Sequence, residues 1–130
     1  ISEAKKYRYV QIPGTFNSLG MVKFLFPNRF SIYLHDTNHR DFFGKQKRSL
    51  SSGCVRVEYP LELAEYLLGD EMNWNEKKIK EILQSEKTKQ IKIMKNIQVH
   101  ILYWTAWSED NNLIFRDDIY NLDADLYQKL

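Results

Sequence analysis

Cysteine is almost missing from this chain: Cys54 is the only one in 130 residues. An internal disulfide and a multi-thiolate metal site are therefore excluded. Charge of one sign is lacking as well. Nineteen Lys and Arg stand against seventeen Asp and Glu, a net charge of +2, far from the one-sided basicity of a dedicated nucleic-acid binder. No nucleic-acid partner is implied. Long apolar runs are absent, and stretches such as Ile101-Leu102-Tyr103-Trp104 fall well short of the roughly 20 residues that cross a bilayer. No transmembrane segment is expected, and no signal peptide is legible. The first residue is Ile1 rather than Met, which points to a chain processed or cut from something longer, so the N-terminus does not reveal the compartment. Internal repeats and low-complexity tracts are missing too. What is present is apolar substance: 43% hydrophobic and 14% aromatic residues can bury a core and argue for one compact domain over 1–130.

Tyr7, Tyr9 and Val10 suggest a short strand before Pro13-Gly14. The run Met21 to Phe26, the pair Pro27-Asn28 and the run Arg29 to Leu34 predict a hairpin. In its second arm the two-residue period puts Phe30, Ile32 and Leu34 on one face, with Ser31, Tyr33 and His35 on the other. His35 then ends a strand. Residues 36 to 53 have no sustained period and are rich in Ser, Gly and Asn, which predicts a long loop of the kind that is commonly functional. Beyond Cys54-Val55-Arg56-Val57, Pro60 opens a helix with Leu61, Ala64, Leu67 and Leu68 on one face and Gly69 as its stop. Asn75 caps a second helix that turns Ile79, Ile82 and Leu83 inward. From Gln90 the period returns to two, and Ile97, Val99, Ile101 and Tyr103 predict a long strand. The turn Glu109-Asp110-Asn111-Asn112 joins it to Leu113-Ile114-Phe115 as a second hairpin. The whole reads as α+β, mostly antiparallel β with two or three short helices.

Chemistry concentrates at Cys54. A lone cysteine is more often a small buried hydrophobe than a nucleophile. Here it follows Ser51-Ser52-Gly53, where a residue without a side chain lets backbone N–H groups converge near the sulfur. A nucleophilic thiol needs a base within reach, because the thiolate is the attacking species. The histidines are His35, His39 and His100. His35 opens the loop that Cys54 closes, so strand pairing can unite them. His39 reads as a solvated loop residue and His100 as a sheet residue. The four-residue spacing of His35 and His39 matches helical metal ligands, but His35 sits at a strand end, so no metal site is expected.

These residues carry a resemblance. His35-Asp36-Thr37 followed by Ser51-Ser52-Gly53-Cys54-Val55-Arg56-Val57 resembles the signature of the L,D-transpeptidases, also called YkuD-type transpeptidases. Upstream, Pro13-Gly14, Asn17-Ser18-Leu19-Gly20, Lys23-Phe24, Phe26-Pro27 and Ile32-Tyr33-Leu34 match in order. Ile119-Tyr120-Asn121 is similar to the C-terminal stretch of the large periplasmic Gram-negative members. The resemblance implies Cys54 as nucleophile and His35 as general base, with the main chain at Asp36 orienting the imidazole. It implies an oxyanion site from the N–H groups of Ser52, Gly53 and Cys54, and a substrate groove lined by Tyr33, Ser51 and Arg56. The implied substrate is a peptidoglycan tetrapeptide stem, cleaved before its terminal D-alanine and passed as a thioester to an amine, without metal or organic cofactor. Carbapenem-type β-lactams would be covalent inhibitors, and the periplasm or cell envelope would be the location.

Two departures accompany the resemblance. Many members have His directly before the Gly-Cys pair, where this chain has Ser52, as some large members do. The family's catalytic domain also has further strands ahead of the Asn-Ser-Leu-Gly stretch, so this chain reads as a fragment of a longer one, lacking N-terminal strands. A sheet edge left exposed in this way would invite self-association. A papain-like peptidase is disfavoured because its Cys generally precedes its His. A peptidoglycan-binding or structural domain of the same fold, impaired in catalysis, is the alternative reading. Lys45, Lys47 and Arg48, and the lysines from Lys87 to Lys92, read as solvated charge.

Overall fold

The computed structural model describes residues 6–7, 9–69 and 74–129, and the chain divides into two compact units, Ile1–Ile97 and Gln98–Leu130. In the first, strands Lys23–Phe24 (β1), Leu34–His35 (β2) and Val55–Arg56 (β3) form a sheet in the order β1-β2-β3. β1 and β2 run antiparallel, with Lys23 opposite His35 and Phe24 opposite Leu34. This is the expected hairpin, with ladders much shorter than the apolar runs suggest. Its connection is held by Asn28, whose Nδ2 donates to the carbonyls of Phe26 (3.0 Å) and Ile32 (2.7 Å) and whose Oδ1 accepts from the N–H groups of Phe30 and Ile32 (3.0 Å each). One side chain thus replaces the ladder bonds that longer strands would make, as Asn commonly does in turns.

β2 and β3 are parallel, with Leu34 opposite Val55 and His35 opposite Arg56. Parallel neighbours need a crossover connection, and the long loop from 36 to 54 supplies it, carrying a 3-10 helix at Arg40–Gly44. Helix Pro60–Leu68 (α1) has its proline at the first turn and ends at Gly69, whose N–H donates to the Glu65 carbonyl. Helix Glu76–Gln84 (α2) is capped by Asn75, whose side chain accepts from the Lys78 N–H at 2.9 Å. Both helices fall where proline, glycine and asparagine punctuate the pattern. Their faces pack together, with Ala64 and Ile79 buried. His35, Asp36 and Thr37 lie deeper still, at 5%, 4% and 3% exposure. A polar tripeptide at that depth requires dedicated partners.

The second unit is a hairpin and a short helix. Ala106–Glu109 (β4) pairs with Asn112–Phe115 (β5), Trp107 opposite Ile114. Asp110 and Asn111 make the turn with φ of +50° and +63°, the left-handed pair that a two-residue hairpin loop demands and that Asp and Asn tolerate. Helix Asp123–Tyr127 (α3) starts where the Asp118 carboxylate accepts the Asp123 N–H at 2.8 Å. That bond holds the Asp118 carboxyl below the usual carboxylate range.

Among the described residues the architecture is α+β with three α-helices and small, mostly antiparallel sheets, as the pattern predicts. Two strand expectations need correction. Tyr7, Tyr9 and Val10 are exposed and outside any ladder. Residues 97 to 104 alternate in sequence but form no strand, and regular pairing begins only at Ala106. Alternation prepares two faces; a strand also needs a neighbour for its N–H and C=O groups, and the described residues place none beside this segment.

Candidate active site

The sheet brings the segments of the two singled-out residues side by side. His35 ends β2, and Cys54 immediately precedes β3. The Val55 N–H donates to the Tyr33 carbonyl at 3.1 Å, and the Val57 N–H to the His35 carbonyl at 2.8 Å. These bonds lock the register that carries the thiol to Tyr33.

Tyr33 joins the pair. Hydrogen bonding toward the Cys54 side chain, and then burial, pushes its phenol above the usual range. Its ring meets the His35 ring edge to face, centroids 5.7 Å apart. The Lys23 ammonium lies 3.6 Å from the same ring centroid, a cation–π arrangement on the β1 side. A phenol O–H is a suitable donor to a thiolate, since bonds to ionised acceptors are the stronger ones.

His35 is set by its neighbour. Its Nδ1 bonds to the main-chain carbonyl of Asp36. A carbonyl only accepts, so Nδ1 carries the hydrogen and the lone pair of a neutral ring sits on Nε2. The Asp36 carboxylate accepts from the N–H groups of Met21 and Thr37, each at 2.8 Å, and from Arg40 Nη2 at 2.6 Å. Gly20 makes room for it: a Cβ there would lie 2.3 Å from the carboxyl carbon, and its φ of +60° favours glycine in any case.

The loop before the thiol is tightly wound. Ser51 Oγ donates to the Cys54 carbonyl at 2.7 Å and accepts from the Gly53 N–H at 3.2 Å. Gly53 has φ +138°, a conformation that a side chain resists. Ser52 is exposed at the loop tip. Arg56 lies on β3 with its guanidinium 4.9 Å from the Phe42 ring centroid, and its buried Nε has no hydrogen-bond partner among the described residues. Phe42 also stacks on His39, centroids 5.0 Å apart, and carries the Lys45 ammonium at 4.0 Å.

Tyr33, His35, Asp36, Cys54 and the Ser51–Gly53 loop are thus gathered around one sheet end, with Arg56 on the neighbouring Phe42 face. His39 has its own partner in Phe42, apart from His35. His100 belongs to the second unit. Sequence reasoning missed Arg40 and Phe42, and it quoted Gly20 in a matching stretch without reading its contact with Asp36. The spacing of Asp36 and Arg40, four residues apart, is a usable signal for an ion pair, although the loop between them is not an α-helix.

Two comparisons with known proteins bear on the family. The model of the YkuD family, described as the L,D-transpeptidase catalytic domain, matches residues 2–101. A Haemophilus influenzae protein named "Putative L,D-transpeptidase" is 42% identical over 120 residues, which is 92% of this chain and 24% of the relative. The chain therefore spans about a quarter of that relative's length. The family match covers β1 to β3, both helices of the first unit and every residue gathered at the sheet end, so the chain belongs to the L,D-transpeptidase family.

Proposed function

We propose that the protein is a peptidoglycan L,D-transpeptidase acting through a Cys54 thioester. The observation that carries this reading is the strand register, in which the Val55 N–H bonds the Tyr33 carbonyl and the Val57 N–H the His35 carbonyl, setting Cys54 beside the strand that ends in His35. His35 Nε2 takes the thiol proton, and Sγ attacks the diaminopimelate carbonyl of a tetrapeptide stem. The C–S bond forms, the C–N bond to D-alanine breaks, and the departing amine takes the proton from His35. A side-chain amine of a second stem then attacks the thioester. The new C–N bond forms as C–S breaks, and the proton released by that amine returns to the sulfur through His35.

The Asp36 carbonyl orients the imidazole throughout. The N–H groups of Ser52, Gly53 and Cys54 form the oxyanion site, the Gly53 N–H exchanging its Ser51 bond for the oxyanion. Tyr33, Ser51 and Arg56 line the groove, and the Arg56 guanidinium suits a stem carboxylate. The site lies where such a substrate is found, in the periplasm or cell envelope. A β-lactam of the carbapenem type would acylate the same sulfur.

Purified tetrapeptide muropeptides test the reading. Mass spectrometry should show loss of D-alanine together with dimers joined between diaminopimelate residues, and neither with Cys54→Ala. Stems that keep their D-alanine, or products that persist in Cys54→Ala, would overturn it.

A further inference from the structure

Among the described residues of the first unit, the deepest carboxylate is not one of the reacting residues. It is the Asp36 carboxylate, in a residue only 4% exposed. An ionised carboxylate at that depth is costly unless its oxygens are bonded and its charge is matched. Both conditions are met. Oδ2 accepts from Met21 and Oδ1 from Thr37, while Arg40 Nη2 supplies the opposite charge at 2.6 Å.

Arg40 also reaches elsewhere. Its Nη1 donates to the carbonyl of Glu58, two residues beyond the end of β3. One guanidinium fork therefore ties the turn after His35 to the segment that leaves the Cys54 strand. The main chain of Asp36 is held as well, its N–H donating to the Val22 carbonyl at 2.8 Å. Its own carbonyl receives His35 Nδ1–H. With the N–H, the carboxylate and both neighbouring loops anchored, the direction of that carbonyl is determined, and with it the direction of His35 Nε2.

We propose that the Asp36 carboxylate and Arg40 are positioning residues that aim His35 at Cys54 by bracing the Asp36 carbonyl against the β3 exit at Glu58. The inference rests on the thioester reading above and adds two residues that do not touch the substrate. Lysine cannot replace the arginine fully, because a single ammonium has no planar fork to span a carboxylate and a carbonyl. Misplacement of a base by about 1 Å can cost on the order of 100-fold in rate, so the brace has a measurable effect.

Acylation by a carbapenem, followed by intact mass over time at several inhibitor concentrations, separates the limiting rate kinact from the half-saturating concentration KI. Arg40→Ala is the main variant, because its side chain is 52% exposed, with circular dichroism checking that it folds as the parent does; Asp36→Asn is the companion. The expected result is a fall in kinact of roughly 10- to 100-fold for Arg40→Ala, a KI within about twofold of the parent protein, and an intermediate kinact for Arg40→Lys. A lowered thermal midpoint with unchanged kinact in Arg40→Ala would overturn the brace and leave the thioester reading intact. Full recovery in Arg40→Lys would overturn the tie to Glu58. A parent protein that takes no adduct at Cys54 would overturn both readings.

Discussion

The Tyr33 ring stands edge to face against the His35 ring, 5.7 Å between centroids and 61° between planes, and its phenol is raised chiefly by hydrogen bonding toward Cys54. One aromatic side chain thus fills the space beside the base and supplies a donor to the sulfur. Tyr33→Phe separates these two contributions, because it keeps the ring against His35 and Lys23 and removes only the hydroxyl. A hydrogen bond to an ionised group contributes about 1.5–3 kcal/mol. Acylation of the variant by a chromogenic β-lactam should slow by roughly 10- to 100-fold. An unchanged rate would remove the phenol from the reaction.

Gly20→Ala should unfold or loosen the first unit. The added Cβ would meet the Asp36 carboxyl at 2.3 Å and would sit on a backbone with φ +60°. The left-handed conformation alone costs about 1–2 kcal/mol for a residue with a side chain, and displacing a buried carboxylate adds to it. Urea denaturation followed by circular dichroism should show a loss of at least about 2 kcal/mol. A loss below about 0.5 kcal/mol, the range of ordinary surface changes, would contradict the close packing of Gly20 on Asp36.

Much of the framework is legible in the amino-acid sequence. Pro60, Gly69 and Asn75 mark helix ends by local chemistry, so α1 and α2 fall where expected. Asp110 and Asn111 announce the β4–β5 turn in the same way. The pairing that unites the His35 and Cys54 segments is legible from the loop they bound, but its parallel sense and register are not, because they join residues on either side of a long crossover and leave no local periodicity. Which residue of β2 lies beside Cys54 likewise follows from register, which only the partner strand decides. Residues 97 to 104 show the opposite failure, a clear alternation without a ladder. Arg40 escapes notice because a loop arginine carries no pattern, although its bonds to Asp36 and Glu58 are among the most informative in the site.

Ser52 stands at the exposed loop tip, where the proposed role uses only its backbone N–H. Ser52→Ala keeps that donor and should change the acylation rate only a few-fold, as measured with the same chromogenic substrate. Loss of a real oxyanion donor costs about 100- to 1,000-fold. A loss in that range from a folded variant would assign the hydroxyl a direct part in the reaction.

The second unit should respond to acid through Asp118. Its carboxyl is held below the usual range, chiefly by the Asp123 N–H at the start of α3. A group with a lowered folded pKa contributes stability above its unfolded value, near 3.8, and loses that contribution as pH falls through the folded value. The signals of Asp123 to Tyr127 in nuclear magnetic resonance should therefore hold from neutrality to about pH 4 and shift toward coil below it. Asp118→Ala should show the coil-like shifts already at neutral pH. Helical shifts in that variant at neutral pH would show that α3 does not depend on this cap.

The central claim is that Cys54 is the acyl-accepting nucleophile and that His35 activates it. Intact-mass measurement after exposure to a carbapenem tests it most directly, with the parent protein, Cys54→Ala, His35→Ala and His39→Ala treated side by side. The account predicts one covalent adduct on the parent and on His39→Ala, none on Cys54→Ala, and formation slowed by more than about 100-fold on His35→Ala. An adduct that persists in Cys54→Ala, or equal rates for His35→Ala and the parent protein, would contradict it.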